Sequence, residues 1–223
     1  MLNPELVIFD MDGLMFDTER LLMKHTIEVA SKMGCTITKD IYKEIIGTGT
    51  ANTKEVFDKY LPNDYPLEEG IANVMASMKA DILQNGLPMK KGLHQLLDYL
   101  KESNIVCCIA SSSPLKLIKF YLQLTGLESY FSGIISGDSV KNTKPDPAIF
   151  NKALEQFDVL PENALVLEDS KNGITAAYRA NIPCVCVPDI IVPDREMINQ
   201  ATFITSSLDN VIDLIADNIA DCA

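Results

Sequence analysis

Hydrophobic positions along this chain follow two different rhythms. Leu6-Val7-Ile8-Phe9 is a short, unbroken apolar run, and comparable runs recur at Ile105–Ala110, Gly133–Ser136, Ala164–Leu167 and Pro183–Val187. Each is continuously apolar rather than alternating, as expected of strands buried on both faces of a parallel sheet. Between them the apolar positions repeat with helical spacing, at Leu93–Lys101, Leu115–Leu124, Pro147–Phe157, Gly173–Ala180 and Leu208–Ile219. Strand and helix alternating in this way predict an α/β fold with a doubly wound, mainly parallel sheet.

One stretch breaks the alternation. From Thr18 to Leu87 there is no strand-like run, only amphipathic segments near 19–33, 39–46, 51–60 and 66–85. Turn-forming residues punctuate them at Gly34, Gly47-Thr48-Gly49, Pro62-Asn63-Asp64 and Asn85-Gly86-Leu87-Pro88. The pattern predicts a four-helix cap domain over 17–87, inserted into an α/β core of 1–16 and 88–223. Hinges are expected near Leu14–Asp17 and Asn85–Lys90. The sequence contains no internal repeats and no low-complexity segments.

Composition narrows the partners. The 223 residues carry 31 Asp plus Glu against 19 Lys plus Arg, a formal charge of −12. Such acidity argues against nucleic acid or an anionic membrane as the main partner, since both need a basic face. No apolar run is long enough to span a bilayer, and the N-terminal residues lack the pattern of a secretory signal. Cys107-Cys108 and Cys184/Cys186 lie in strand-like runs, while Cys35 and Cys222 stand alone. Neighbouring strand residues face opposite ways, so Cys107 and Cys108 are not expected to pair. Cys184 and Cys186 read as core thiols rather than half of a zinc site. A reduced, cytoplasmic, monomeric protein is expected.

Ligands of α/β sheets bind at the carboxyl ends of the strands. Here the first strand ends in Asp10-Met11-Asp12-Gly13, with the two carboxylates on one side of an extended chain. The second ends in Ser111-Ser112-Ser113, before Pro114 and a helix. Lys144 lies in Thr143-Lys144-Pro145-Asp146-Pro147, ahead of another helix, and the fourth strand ends in Glu168-Asp169-Ser170. Each piece alone has an ordinary reading as a turn, a helix cap or a surface lysine. Together they deliver four carboxylates, a hydroxyl, helix-start amides and one lysine to a single edge. Clustered carboxylates call for a cation, and hard oxygen ligands suit Mg2+. Helix-start amides and a lysine suit a phosphate. The combination fits phosphoryl transfer, where positioning and charge neutralisation dominate catalysis.

In order and spacing, Asp10-Met11-Asp12-Gly13-Leu14, Ser111, Lys144-Pro145 and Glu168-Asp169-Ser170-Lys171-Asn172-Gly173 resemble the four motifs of the haloacid dehalogenase superfamily. The resemblance spans nearly the whole chain and implies that family's Rossmann-like core. Leu14-Met15-Phe16-Asp17-Thr18-Glu19 resembles the entry to the helical-cap branch, which holds phosphosugar phosphatases and β-phosphoglucomutase. It implies that Asp10 is the nucleophile forming an aspartyl-phosphate and that Asp12 is the general acid/base. It further implies that Ser111, the Ser112 amide and Lys144 bind the transferring phosphoryl group. Mg2+ would be held by Asp10, the Asp12 carbonyl, Glu168 and Asp169.

An aspartate at Asp12 suits protonation of an alkoxide, which sets aside carbon–halogen and phosphorus–carbon cleavage. Hydrolysis of a small phosphorylated metabolite, a sugar phosphate, is the expected activity. The alternatives are a β-phosphoglucomutase-type mutase and a non-catalytic binding protein that keeps the fold. The mutase reading needs a cap histidine where Leu22 stands, with His25 one helical turn further on. It also needs a cap arginine near Thr50, in a segment with no basic residue before Lys54. Lys79, Thr18 and Glu19 are the candidate cap contacts to substrate. His25 and His94 fall outside the motifs and are not expected to be catalytic. Met75, Met78 and Met89 are expected to pack the cap.

Overall fold

The computed structural model describes residues 2–46 and 49–216; for 49–54 the backbone alone is described. In chain order the elements are β1 (Leu6–Phe9), α1 (Thr18–Lys32), α2 (Lys39–Lys43), α3 (Gly49–Tyr60), α4 (Leu67–Asn85) and α5 (Leu93–Glu102). There follow β2 (Val106–Ser111), α6 (Leu115–Thr125), β3 (Gly133–Ser136), α7 (Ala148–Phe157) and β4 (Ala164–Glu168). The chain ends with α8 (Lys171–Arg179), β5 (Cys184–Cys186), α9 (Arg195–Gln200), β6 (Phe203–Ile204) and α10 (Asn210–Ala216). Two compact units emerge, Met1–Phe16 with Met89–Ala223 and, separately, Asp17–Pro88.

The first unit is built on a six-stranded sheet in the order β3-β2-β1-β4-β5-β6, and every pairing is parallel. All four residues of β1 are fully buried, because β2 and β4 flank it and apolar layers cover both faces. Leu6 and Ile8 face a cluster that includes Cys108, Ile135, Phe150, Val166 and Ile174. Each such side chain contributes about 1.5–3 kcal/mol on burial, which fixes the strand's position and both of its registers. Those registers set Phe9 beside Ile109 on one neighbour and Leu167 on the other. The chain runs outward through β2 and β3, then returns to build β4, β5 and β6 on the other side of β1. The strand order therefore reverses at β1, the point where open α/β sheets form a ligand crevice.

The helices follow from their spacing. In α5 the buried residues Leu93, Leu96, Leu97 and Leu100 fall on one stripe. In α8, Ser170 caps the N-terminus by accepting the Gly173 amide at 3.0 Å, so the helix begins two residues earlier than its apolar pattern predicts. Two elements escape the apolar pattern entirely. β6 has two half-exposed residues at the sheet edge, and α9 has Met197 as its single buried position. The last expected helix is described only as far as Ala216; its continuation to Ile219, and Cys222, lie outside the described residues.

The Asp17–Pro88 unit is helical. Its core gathers Ala30, Ile37, Tyr42, Phe57 and Leu61. A polar clamp joins α1 to α4: Lys24 Nζ and His25 Nε2 both donate to Asp81 Oδ2 at 2.8 Å, and Ser77 Oγ is hydrogen-bonded to His25 Nδ1 at 2.9 Å. The turn expected at Gly47-Thr48 lies outside the described residues. The methionine expectation holds at one of three positions. Met78 is buried, whereas Met75 and Met89 are 46% and 40% exposed, and Met89 belongs to the sheet unit. Met75 sits one residue away from the buried Val74 and so turns off the buried face of α4. Among the described residues no helix is long and apolar enough to cross a membrane.

Candidate active site

β1 delivers Asp10 to the carboxyl edge of the sheet, where its amide still donates to Leu167 O at 3.1 Å. The chain then folds back on itself. Gly13 N donates to Phe16 O at 2.9 Å, and Met15 N to Met11 O at 3.0 Å. Gly13 makes this turn possible, because its φ is +88° and a Cβ there would stand 2.3 Å from Asp169 Oδ2. The missing side chain lets the loop after β1 close against the loop after β4. Asp10 is buried and Asp12 half-buried.

Lys144, its side chain only 5% exposed, draws three strand ends together. Its Nζ donates to Asp10 Oδ1 at 2.5 Å, to Glu168 Oε1 at 2.7 Å and to Ala110 O at 2.9 Å. Glu168 is fully buried, and its other oxygen, Oε2, accepts from the Asp169 amide, the Ser170 amide and the Ser170 hydroxyl, each at 3.0 Å. Gly173 leaves room for this carboxylate, since a Cβ would lie 1.7 Å from Oε1.

Ser111, buried at the end of β2, accepts the Ser113 amide on its Oγ at 3.1 Å. The Ser113 hydroxyl in turn donates to Asp12 Oδ2 at 2.7 Å. The helix-start amides are less available than the sequence suggests. Pro114 has no N–H, the Ser113 amide serves Ser111, and the Leu115 amide donates to Asp138 Oδ2 at 2.8 Å. The turn is thereby left with Ser112 as the amide not engaged by these bonds.

The electrostatics follow from burial. Loss of solvent pushes the Asp10 carboxyl up to about 8; Glu168 and Asp12 push the same way, and Lys144 opposes them. Burial works against the Lys144 ammonium, but Asp10 and Glu168 outweigh it and hold its pKa above the ordinary lysine value. Ligand oxygens of Asp10, Glu168 and Asp169 lie within 4.8 Å of one another, an all-oxygen set able to hold a metal ion. Within that set Glu168 has both oxygens engaged by protein donors. Its primary contact is the lysine, and Asp10 and Asp169 are the carboxylates better disposed to ligate.

The sheet unit thus gathers Asp10, Asp12, Ser111, Ser112, Lys144, Glu168 and Asp169 at its carboxyl edge. The other candidates belong to the helical unit. Thr18 is buried and Glu19 half-buried at the start of α1, and Lys79 is exposed on α4. The Thr50 side chain lies outside the described residues. Leu22 lines an apolar cavity of about 210 Å3 within the helical unit, together with Thr26, Tyr42 and Phe57. Ser113 and Asp138 are the residues that motif reading passes over. One is the third serine of a serine run and the other follows a glycine turn, so neither has a sequence signal beyond its neighbourhood.

The model of the family described as haloacid dehalogenase-like hydrolase matches residues 7–187. The phosphorylated carbohydrates phosphatase of Thermotoga maritima is 35% identical over 178 residues, covering 80% of this chain and 82% of that one. A Drosophila melanogaster protein provisionally named pseudouridine-5'-phosphatase is 32% identical over 209 residues, covering 90% and 88%. A solved Thermotoga maritima structure, provisionally named β-phosphoglucomutase, matches with a TM-score of 0.80 at 29% identity, covering 95% of this chain and 98% of that one.

Proposed function

Because the chain belongs to the haloacid dehalogenase-like hydrolase family and is a phosphatase of that family, we propose that it hydrolyses a small sugar phosphate through an aspartyl-phosphate on Asp10, with Mg2+ as cofactor. The observation that carries this reading is the Lys144 bridge between Asp10 and Glu168, with Asp169 beside them. It supplies a buried carboxylate nucleophile whose repulsion toward a phosphate is offset by a fixed cation.

Asp10 attacks phosphorus, forming an Asp10–phosphorus bond as the ester oxygen departs. Asp12 gives that oxygen its proton. A water then attacks the aspartyl-phosphate, Asp12 recovers a proton from it, and inorganic phosphate leaves with Asp10 restored. Ser111 Oγ and the Ser112 amide hold the phosphoryl oxygens, while the Lys144 ammonium, with its three N–H groups serving Asp10, Glu168 and Ala110 O, offsets their charge from beside them. The residues present fit Mg2+: Asp10, Asp169 and the Asp12 carbonyl would hold it, with Glu168 alongside, and the bound ion would neutralise charge on the phosphoryl group.

One feature favours hydrolysis over sugar-phosphate isomerisation. Leu22, where the mutase resemblance calls for a histidine, lines an apolar cavity. A panel of sugar phosphates assayed with Mg2+ for both free phosphate and isomerised product tests the reading. Release of phosphate supports it. Isomerisation without phosphate release establishes the mutase instead, and no turnover of any ester overturns both.

A further inference from the structure

We propose that Ser113 is a positioning residue for Asp12: its hydroxyl fixes the carboxyl that passes a proton to the departing alkoxide. The inference rests on the phosphatase reading above. Ser113 Oγ donates to Asp12 Oδ2 at 2.7 Å, joining the turn after β2 to the turn after β1. At this length the bond is an ordinary, well-formed hydroxyl–carboxyl hydrogen bond.

The backbone of Ser113 is itself pinned. Its amide donates to Ser111 Oγ at 3.1 Å, and its carbonyl accepts from Gly137 N at 3.1 Å. Gly137 packs so closely that a Cβ there would stand 2.2 Å from Ser112 O. The side chain therefore projects from a fixed platform held by the ends of β2 and β3.

An ordinary role for a serine ahead of a helix is capping, and Ser113 does not perform it. Pro114 occupies the cap position of α6 and makes no side-chain cap, while the Leu115 amide is satisfied by Asp138. The hydroxyl is directed across to Asp12 instead. A general acid works only when its proton-bearing oxygen faces the leaving group. With Oδ2 held by Ser113, the turn after β2 sets the orientation of the Asp12 carboxyl. The same bond keeps the group from rotating between turnovers. Ser113 thus serves the phosphatase by aiming Asp12, without itself touching phosphorus.

Leaving groups separate this role from a structural one. A sugar alkoxide needs protonation as it departs, whereas p-nitrophenolate does not. The value of kcat/KM reports steps up to loss of the leaving group, so it isolates the acid step. Wild type, S113A and S113T are compared, with Mg2+, on p-nitrophenyl phosphate and on the sugar phosphate that wild type turns over fastest. S113A is expected to lower kcat/KM for the sugar phosphate by about 10- to 100-fold, with less than about a threefold change for p-nitrophenyl phosphate. S113T, which keeps the hydroxyl, is expected to recover the sugar-phosphate rate to within about threefold. Equal losses on both esters, no loss on either, or failure of S113T to recover activity would overturn the proposal and leave the phosphatase reading intact. Absence of wild-type turnover on every ester would overturn both.

Discussion

Lys144 Nζ lies 2.7 Å from Glu168 Oε1, with both side chains withdrawn from solvent. A buried ion pair of this kind contributes little net stability, yet removing one partner strands the other. Here the stranded group would be the fully buried Glu168, joined by Asp10 once it loses its proton. Lys144→Met is therefore expected to cost about 3–5 kcal/mol in stability as well as activity. Urea unfolding of the variant checks this, and a loss below about 1 kcal/mol would contradict the pairing described.

Gly13 provides a second, independent probe. An alanine would face a positive φ and a 2.3 Å approach to Asp169 Oδ2. Gly13→Ala is expected to lose about 1–3 kcal/mol in stability and to need a higher Mg2+ concentration for half-maximal activity. A titration of activity against Mg2+ that is unchanged from wild type would show that the loop tolerates the side chain.

Metal binding is expected to depend on pH through Asp10. Its folded pKa, raised by burial to about 8, lies above the value of 3.8 for an unperturbed carboxyl. Without metal, the native state holds a proton that the unfolded chain releases between about pH 4 and 8. Stability from this group is thus present at low pH and declines as pH rises through that window. A cation at the site displaces the same proton, so Mg2+ should bind more tightly as pH rises towards 8, with proton release. Calorimetric titration at pH 6.5 in buffers of different ionisation enthalpy measures that release. Identical heats in all buffers would contradict it.

The cysteines on β2 and β5 are expected to be inert. Burial pushes Cys107 and Cys186 up to about 12 and raises Cys108 and Cys184 as well. At pH 8 a thiol with that pKa is roughly one part in ten thousand thiolate, the reactive form. Cys35 is only partly buried. Iodoacetamide at pH 8, followed by peptide mass spectrometry, should label Cys35 ahead of all four. Rapid labelling of Cys184 or Cys186 in the folded protein would contradict their burial.

The sheet was legible because burial on both faces writes itself into the sequence as uninterrupted runs such as Leu6–Phe9. The gathering of Asp10, Asp12, Ser111, Glu168 and Asp169 at one edge was legible because strand ends, one after another, carry them. β6 was not legible, since two half-exposed edge residues form no pattern. The engagement of the α6 amides was equally hidden, because Asp138 reaches Leu115 across a distance in sequence that no local rule spans. For the same reason the contact between Glu168 and Lys144 was hidden: charge and position mark Glu168 as a candidate metal ligand, and the packing adds the lysine beside it.

Every step of the proposed hydrolysis depends on Asp10 as nucleophile. The most direct measurement is steady-state phosphate release from the preferred sugar phosphate, by wild type and Asp10→Asn side by side with Mg2+. An amide at this position keeps the shape of the side chain but cannot form the aspartyl-phosphate. Activity is predicted to fall by at least about a thousandfold. Retention of wild-type turnover to within about tenfold would contradict the assignment of Asp10 and the mechanism built on it.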